Sequence, residues 1–249
     1  MIHVPEAPLR ITLAVCGFVL LIVWITLRGL DTGLRRSGCA APIRRSLLLR
    51  VGALLATWFL AVTAAAVSGA WLDLGAPRAL GYIVPALLLS LVLWRAGWLQ
   101  AAVATMSPAA IPWLQTLRIG GGLTILAAWA SGLAPWGWAA PAVVGDVLVG
   151  LGAAAVAFLL GTGLAWSRTA AQVWNVFGLV EVAYVVVRGL LSAPGPQQRI
   201  FEEPPNLLPA VFPFLYLPAF ILPLTIVLHM LSLRQLARLS QAPPAQRGS

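Results

Sequence analysis

The chain has 249 residues, 60% of them hydrophobic and only 9% charged, with a mean hydropathy of +0.92. A soluble domain carries roughly 25% charged residues, so too few charges are present to cover a water-facing surface, and lipid must be the solvent for most of the chain. The formal net charge of +9 comes from 16 arginines with no lysine, which rules out a lysine Schiff base and with it a retinal protein of the rhodopsin type.

A helix needs about 20 apolar residues to cross the hydrocarbon core. The apolar runs predict an all-α, polytopic membrane helix bundle of seven transmembrane helices. The spans are about 10–29, 50–71, 79–94, 113–133, 140–165, 172–191 and 209–232. They form one transmembrane domain over residues 1–233. The first run is read as a span and not as a signal peptide, because Arg28, Arg35 and Arg36 follow the apolar segment instead of preceding it. The stretch from Arg95 to Pro112 reads as an interfacial loop. Residues 234–249, rich in Gln, Ala and Pro, read as a disordered cytoplasmic tail.

Arginine sets the orientation. Arg28, Arg35, Arg36, Arg44, Arg45 and Arg50 cluster between spans 1 and 2, and Arg95, Arg168, Arg234, Arg238 and Arg247 fall on the same side. The opposite side holds Arg10, Arg78 and Arg199, offset by Asp73, Glu202 and Glu203. The N-terminus is therefore expected outside and the C-terminus in the cytoplasm. Anionic lipid headgroups are the expected partner of the arginine-rich loop, and nucleic acid is not. Tryptophan agrees with this reading. Trp71, Trp136 and Trp138 fall at outer ends, and Trp94, Trp98, Trp113, Trp166 and Trp174 at inner ends, as an aromatic belt requires. Trp24, Trp58 and Trp129 read as packing residues within spans.

Arg50-Val51-Gly52 and Arg118-Ile119-Gly120 each precede an apolar helix, which hints at one leading helix and three hairpins. The glycines of spans 4 and 5 read as close helix packing. Span 7 carries Pro209, Pro213, Pro218 and Pro223, and prolines free carbonyls and bend a helix.

Ionisable groups inside spans are costly and need a partner or a cavity. The binding candidates are Gln115, Arg118, Asp146, Asn175, Glu181, Tyr184, Arg188 and His229. Glu181, Tyr184 and Arg188 are spaced to share one helical face. Two ion pairs are expected, Asp146 with Arg188 near the outside and Glu181 with Arg118 nearer the middle. The outer-loop pair Glu202-Glu203 reads as solvated. Two cysteines and two histidines far apart give no metal-ligand spacing, and no cofactor is indicated. No P-loop, GxSxG or HExxH motif is present.

Residues 107–238 carry a further pattern: Gln115, Arg118 and Gly120-Gly121; Gly145-Asp146-Val147-Leu148-Val149-Gly150; Trp174-Asn175, Gly178-Leu179 and Glu181; Ser192 to Pro196; and Pro223 to Gln235 with Leu228-His229 and Leu231-Ser232-Leu233. This resembles a family of uncharacterised bacterial polytopic inner-membrane proteins, in which Asp is commoner at the Glu181 position. The resemblance implies a topology, a multi-pass inner-membrane location and motif positions. It points to Arg118, Asp146, Asn175, Glu181 and His229, and it carries no substrate or reaction.

Three functions fit these residues. Staggered intramembrane charges and a proline-broken span suit small-molecule or ion transport, which is narrowly favoured. The chain is small for a monomeric transporter, so a homo-oligomer goes with that reading. Asp146 or Glu181 as an acid or base would suit an intramembrane enzyme acting on a lipid or isoprenoid. Fully paired charges would suit a non-catalytic structural or assembly component.

Overall fold

A computed structural model describes residues 7–68, 80–208 and 211–241. Every regular element among them is helical: α1 (Leu9–Arg36), α2 (Ala41–Val67), α3 (Leu80–Arg95), α4 (Gly97–Ala104), α5 (Ala110–Gln115), α6 (Arg118–Ala130), α7 (Trp136–Thr162), α8 (Ser167–Ser192), a π-helical turn (Leu217–Ile221) and α9 (Leu222–Gln241). Trp71, Asp73, Arg78, Pro209 and Arg247, used in the sequence reading, lie outside the described residues.

Five helices are long and apolar enough to cross a membrane: α1, α2, α7, α8 and Leu217–Ser240. A sixth candidate is bent, because Leu87–Arg95 and Gly97–Ala104 meet at 64°. The protein is thus an all-helical, multi-pass membrane protein. The expected fourth span is divided into α5 and α6 by a turn at Thr116 and Leu117. With 13 residues, α6 is about 20 Å long, short of the roughly 30 Å hydrocarbon core.

The segment read as an interfacial loop holds α4, and its Ala102, Val103 and Met106 are buried. One side chain explains this placement. Gln235 Nε2 donates to Val103 O at 2.8 Å and to Met106 O at 2.7 Å, which ties α9 to the turn that follows α4. The same contact carries α9 past the boundary expected for the tail: Gln235 and Leu236 are buried, and the helix continues to Gln241.

Glycine ends two helices by adopting a left-handed conformation. Gly132 (φ +72°) closes α6, with Leu133 N–H donating to Ala128 O at 2.9 Å, and Gly163 (φ +71°) closes α7. The proline-rich segment behaves as chemistry demands. Pro223 has no N–H to offer Ala219 O, four residues earlier. That carbonyl instead accepts from Trp58 Nε1 at 2.6 Å, which ties α2 to the π-helical turn. Below the turn, α9 packs between α3 and α8.

The main apolar core joins α1, α6, α7, Leu208 and the segment 214–220, with α8 against it through the partly buried Val185, Val186 and Leu190, and α2 stays peripheral, burying only Val62. Arg50 lies exposed on α2 and Arg118 is buried on α6, so the two Arg-X-Gly segments occupy unlike places and the hairpin repeat does not hold. Two tryptophans assigned to the belt belong to the interior: Trp138 is 6% exposed and Trp174 is 7% exposed. Trp24, expected to pack inside a span, is instead exposed, with Arg28 over its ring at 5.7 Å.

The closest approach of α6 and α7 is at Gly150, where an added Cβ would stand 3.0 Å from the Ile119 backbone nitrogen. Backbone cannot yield as a flexible side chain can. Gly150→Leu is expected to destabilise the protein by about 1–3 kcal/mol. Gly161→Ala, in open space on the same helix, is expected to leave the thermal midpoint unchanged or higher. Detergent-solubilised melting curves of the two variants check this, and equal midpoints would show that α6 and α7 are not held at backbone contact.

Candidate functional site

Arg118 opens α6 and is 8% exposed. Its guanidinium meets two carboxylates from two other helices. Nε donates to Asp146 Oδ1 of α7 at 2.6 Å, and Nη2 reaches both Asp146 Oδ1 and Glu181 Oε2 of α8. The expected Arg118–Glu181 pair is present. The expected Asp146–Arg188 pair is not, because Asp146 shares Arg118 with Glu181. Arg188 instead holds Glu202 at 3.0 Å and donates from Nε to Gly137 O at 2.9 Å. Glu202, read as solvated, is a 10% exposed ion-pair partner.

Small residues make room for this cluster. The Asp146 side chain lies against Gly121 and Gly122 on the first turn of α6, where a negative charge also meets the positive end of the helix dipole. Gly145 lies directly under the Glu181 carboxylate, whose Cγ would be 2.7 Å from an added Cβ. Helix close approach was the sequence reading for these glycines, and two charged side chains are what the space admits.

Toward the N-terminal end of α8 lies a second polar layer. Asn175 Nδ2 donates to Ala171 O at 2.7 Å and to Ser232 Oγ at 3.0 Å, which turns its Oδ1 toward His229 Nδ1 at 3.0 Å. That arrangement makes Nδ1 the protonated nitrogen of a neutral ring. Nε2 faces Gly178 and has no partner. The Trp174 ring covers the imidazole with centroids 4.9 Å apart, and its Nε1 donates to Val149 O at 3.0 Å. Asn175 and His229 are each 0% exposed, so this layer closes the bundle on that side. Gln115 belongs to the frame, since its Nε2 donates to Thr225 O at 3.1 Å.

Toward the C-terminal end of α8 the cluster adjoins a cavity. It has a volume of about 120 Å³, with Arg118, Asp146 and Glu181 at one end. Its wall follows Val182, Val185, Val186, Gly189 and Leu190, and its far end holds Gln197 and the buried Asn206. From Glu181 to Ala193 the lining runs about 18 Å along the helix. This face is offset from the expected one: Tyr184 is 50% exposed and points away, so the Glu181–Tyr184–Arg188 stripe does not line the bundle.

Several buried polar atoms here have no partner among the described residues: Arg118 Nη1 and Glu181 Oε1 beside the ion cluster, and Trp138 Nε1, Gln197 Oε1 and Asn206 Oδ1 farther along. Such atoms are expensive in an apolar setting. Sequence reasoning missed Trp138, Gln197, Asn206 and Ser232, which are polar groups of ordinary kind near span ends. Among the described residues, no three His, Cys, Asp or Glu side chains come together to hold a metal ion.

Residues 75–237 match the model of a family described as a domain of unknown function (DUF8737), and the chain belongs to that family. No curated protein and no solved structure matches the sequence.

Removing the shared cation strands two buried carboxylates, and breaking a buried pair in this way costs roughly 3–5 kcal/mol. Arg118→Met is therefore expected to lower the thermal midpoint in detergent far more than Glu181→Gln, which leaves Arg118 with Asp146. Equal midpoints for the two variants would show that Arg118 is not the shared partner.

Proposed function

We propose that this DUF8737 member is a bacterial inner-membrane transport or permeation protein whose substrate site is the cavity ending on Arg118, Asp146 and Glu181. The observation that carries the reading is the combination of a cavity on one side of the buried charges with a sealed layer on the other. A carrier caught facing one side has this form, with the binding site near the middle and a closed gate beyond it. The gate is the His229–Asn175–Ser232 layer. Its hinge is the segment at Pro218 and Pro223, where helical hydrogen bonding is already interrupted.

The full topology we infer is seven crossings, with α3–α4 and α5–α6 each counted as one interrupted crossing. The arginine distribution supports an outside N-terminus, and on that topology the Gln197–Asn206 end of the cavity lies toward the outside and the α9 C-terminus in the cytoplasm. Arg36, Arg45 and Arg50 then meet anionic headgroups at the inner surface. The sparsely covered α2 offers a face for a second copy in a homo-oligomer.

A lipid-processing enzyme would also use an apolar-walled cavity, but it would have no need for a gate on the far side. One labelling experiment separates the classes. A cysteine at Val182, beside Glu181, is introduced after Cys16 and Cys39 are replaced by serine. A charged, membrane-impermeant thiol reagent is then applied to vesicles of either orientation. Transport predicts labelling from both sides, with label from one side blocking the other. Labelling from one side alone would indicate a static pocket, and labelling from neither side a purely structural core; either result overturns the transport reading.

A further inference from the structure

The floor of the cavity is electrically lopsided. One guanidinium faces two carboxylates, so the cluster carries one negative charge in excess when both acids are ionised. The sharing is also unequal. Asp146 Oδ1 takes contacts from both Nε and Nη2 of Arg118, whereas Glu181 is held through Oε2 alone, and its Oε1 is buried without a partner. Glu181 is thus the acid whose charge is less neutralised. Arg118 Nη1 is also unpartnered, but the excess negative charge of the two acids disfavours an anion beside it. The charge balance selects a cation.

The rest of the cavity selects the body behind that cation. Its wall along α8 is formed by Val182, Val185, Val186, Gly189 and Leu190. The space is small, about 120 Å³, yet its lining runs some 18 Å along the helix. A slender aliphatic chain fits such a shape and a bulky ring system does not. A primary ammonium brings three hydrogen-bond donors to the Glu181 carboxylate, and a quaternary ammonium brings none.

We propose that the cavity binds a primary alkylammonium ion, with its nitrogen on Glu181 and its chain along α8. The proposal rests on the reading of this cavity as the substrate site, and it names the class of substrate.

Binding of hexylamine, 1-hexanol and hexanoate to the full chain in nanodiscs, measured by calorimetry against empty nanodiscs at neutral pH, tests it. Hexylamine is expected to bind saturably and at least about tenfold more tightly than hexanol, the margin of a charge-assisted hydrogen bond. Hexanoate is expected not to bind. Glu181→Gln should reduce the preference for amine over alcohol to near unity. Val186→Trp, which fills the cavity away from the charges, should abolish binding of both. Preference for hexanoate, retention of amine selectivity in Glu181→Gln, or amine binding that survives Val186→Trp would each overturn the ammonium assignment while leaving the cavity open to another ligand class. Binding of none of the three would remove the cavity as a site for small amphiphiles, and the assignment with it.

Discussion

The organisation of this bundle depends on one guanidinium. Arg118 ties α6 to α7 through Asp146 and α6 to α8 through Glu181, so three helices meet at a single charged point inside an apolar protein. A lone arginine in that position would be prohibitively placed, and so would either acid. Together they neutralise one another in part. Two acids on one base leave an excess of negative charge beside a cavity when both are ionised.

The surrounding backbone is arranged to permit this. Gly121 and Gly122 let the Asp146 side chain lie against α6, Gly145 leaves room beneath Glu181, and Gly178 receives the edge of the His229 ring. Each glycine gives up side-chain packing to admit a polar side chain from a neighbouring helix. The two polar layers they accommodate differ in character. The Arg118 layer is charged and adjoins open space, whereas the His229 layer is neutral, hydrogen-bonded and sealed. The proposed transport reading rests on this contrast between a sealed layer and a layer beside a cavity, with a proline-interrupted helix passing both.

The helical membrane character was legible because composition and apolar run length act on the whole chain, and no tertiary contact is needed to read them. Arg118, Asp146, Asn175, Glu181 and His229 were legible because charged or polar groups at mid-span have few permissible explanations. Pairing was not. Spacing on α8 put Glu181, Tyr184 and Arg188 on one face, but which face turns inward is set by the packing of α6, α7 and α9, and that turned Tyr184 out. Depth alone matched Asp146 with Arg188; the actual partner was fixed by helix neighbours. Trp138 and Trp174 were misread because an indole near a span end can anchor at the interface or pack inside, and sequence position does not separate the two. The short α4 escaped detection because its buried face is completed by Gln235, more than a hundred residues away.

The central claim is that Arg118 is held by two carboxylates and exists in the bundle because of them. Comparing the thermal midpoints of Arg118→Leu and of the triple variant Arg118→Leu, Asp146→Asn, Glu181→Gln tests it most directly. Removing the base alone leaves two buried charges uncompensated, and removing all three leaves none. The account predicts a large loss for the single variant and recovery of most of that loss in the triple variant. Additive losses, with the triple variant the least stable, would contradict it and show that the three side chains act independently.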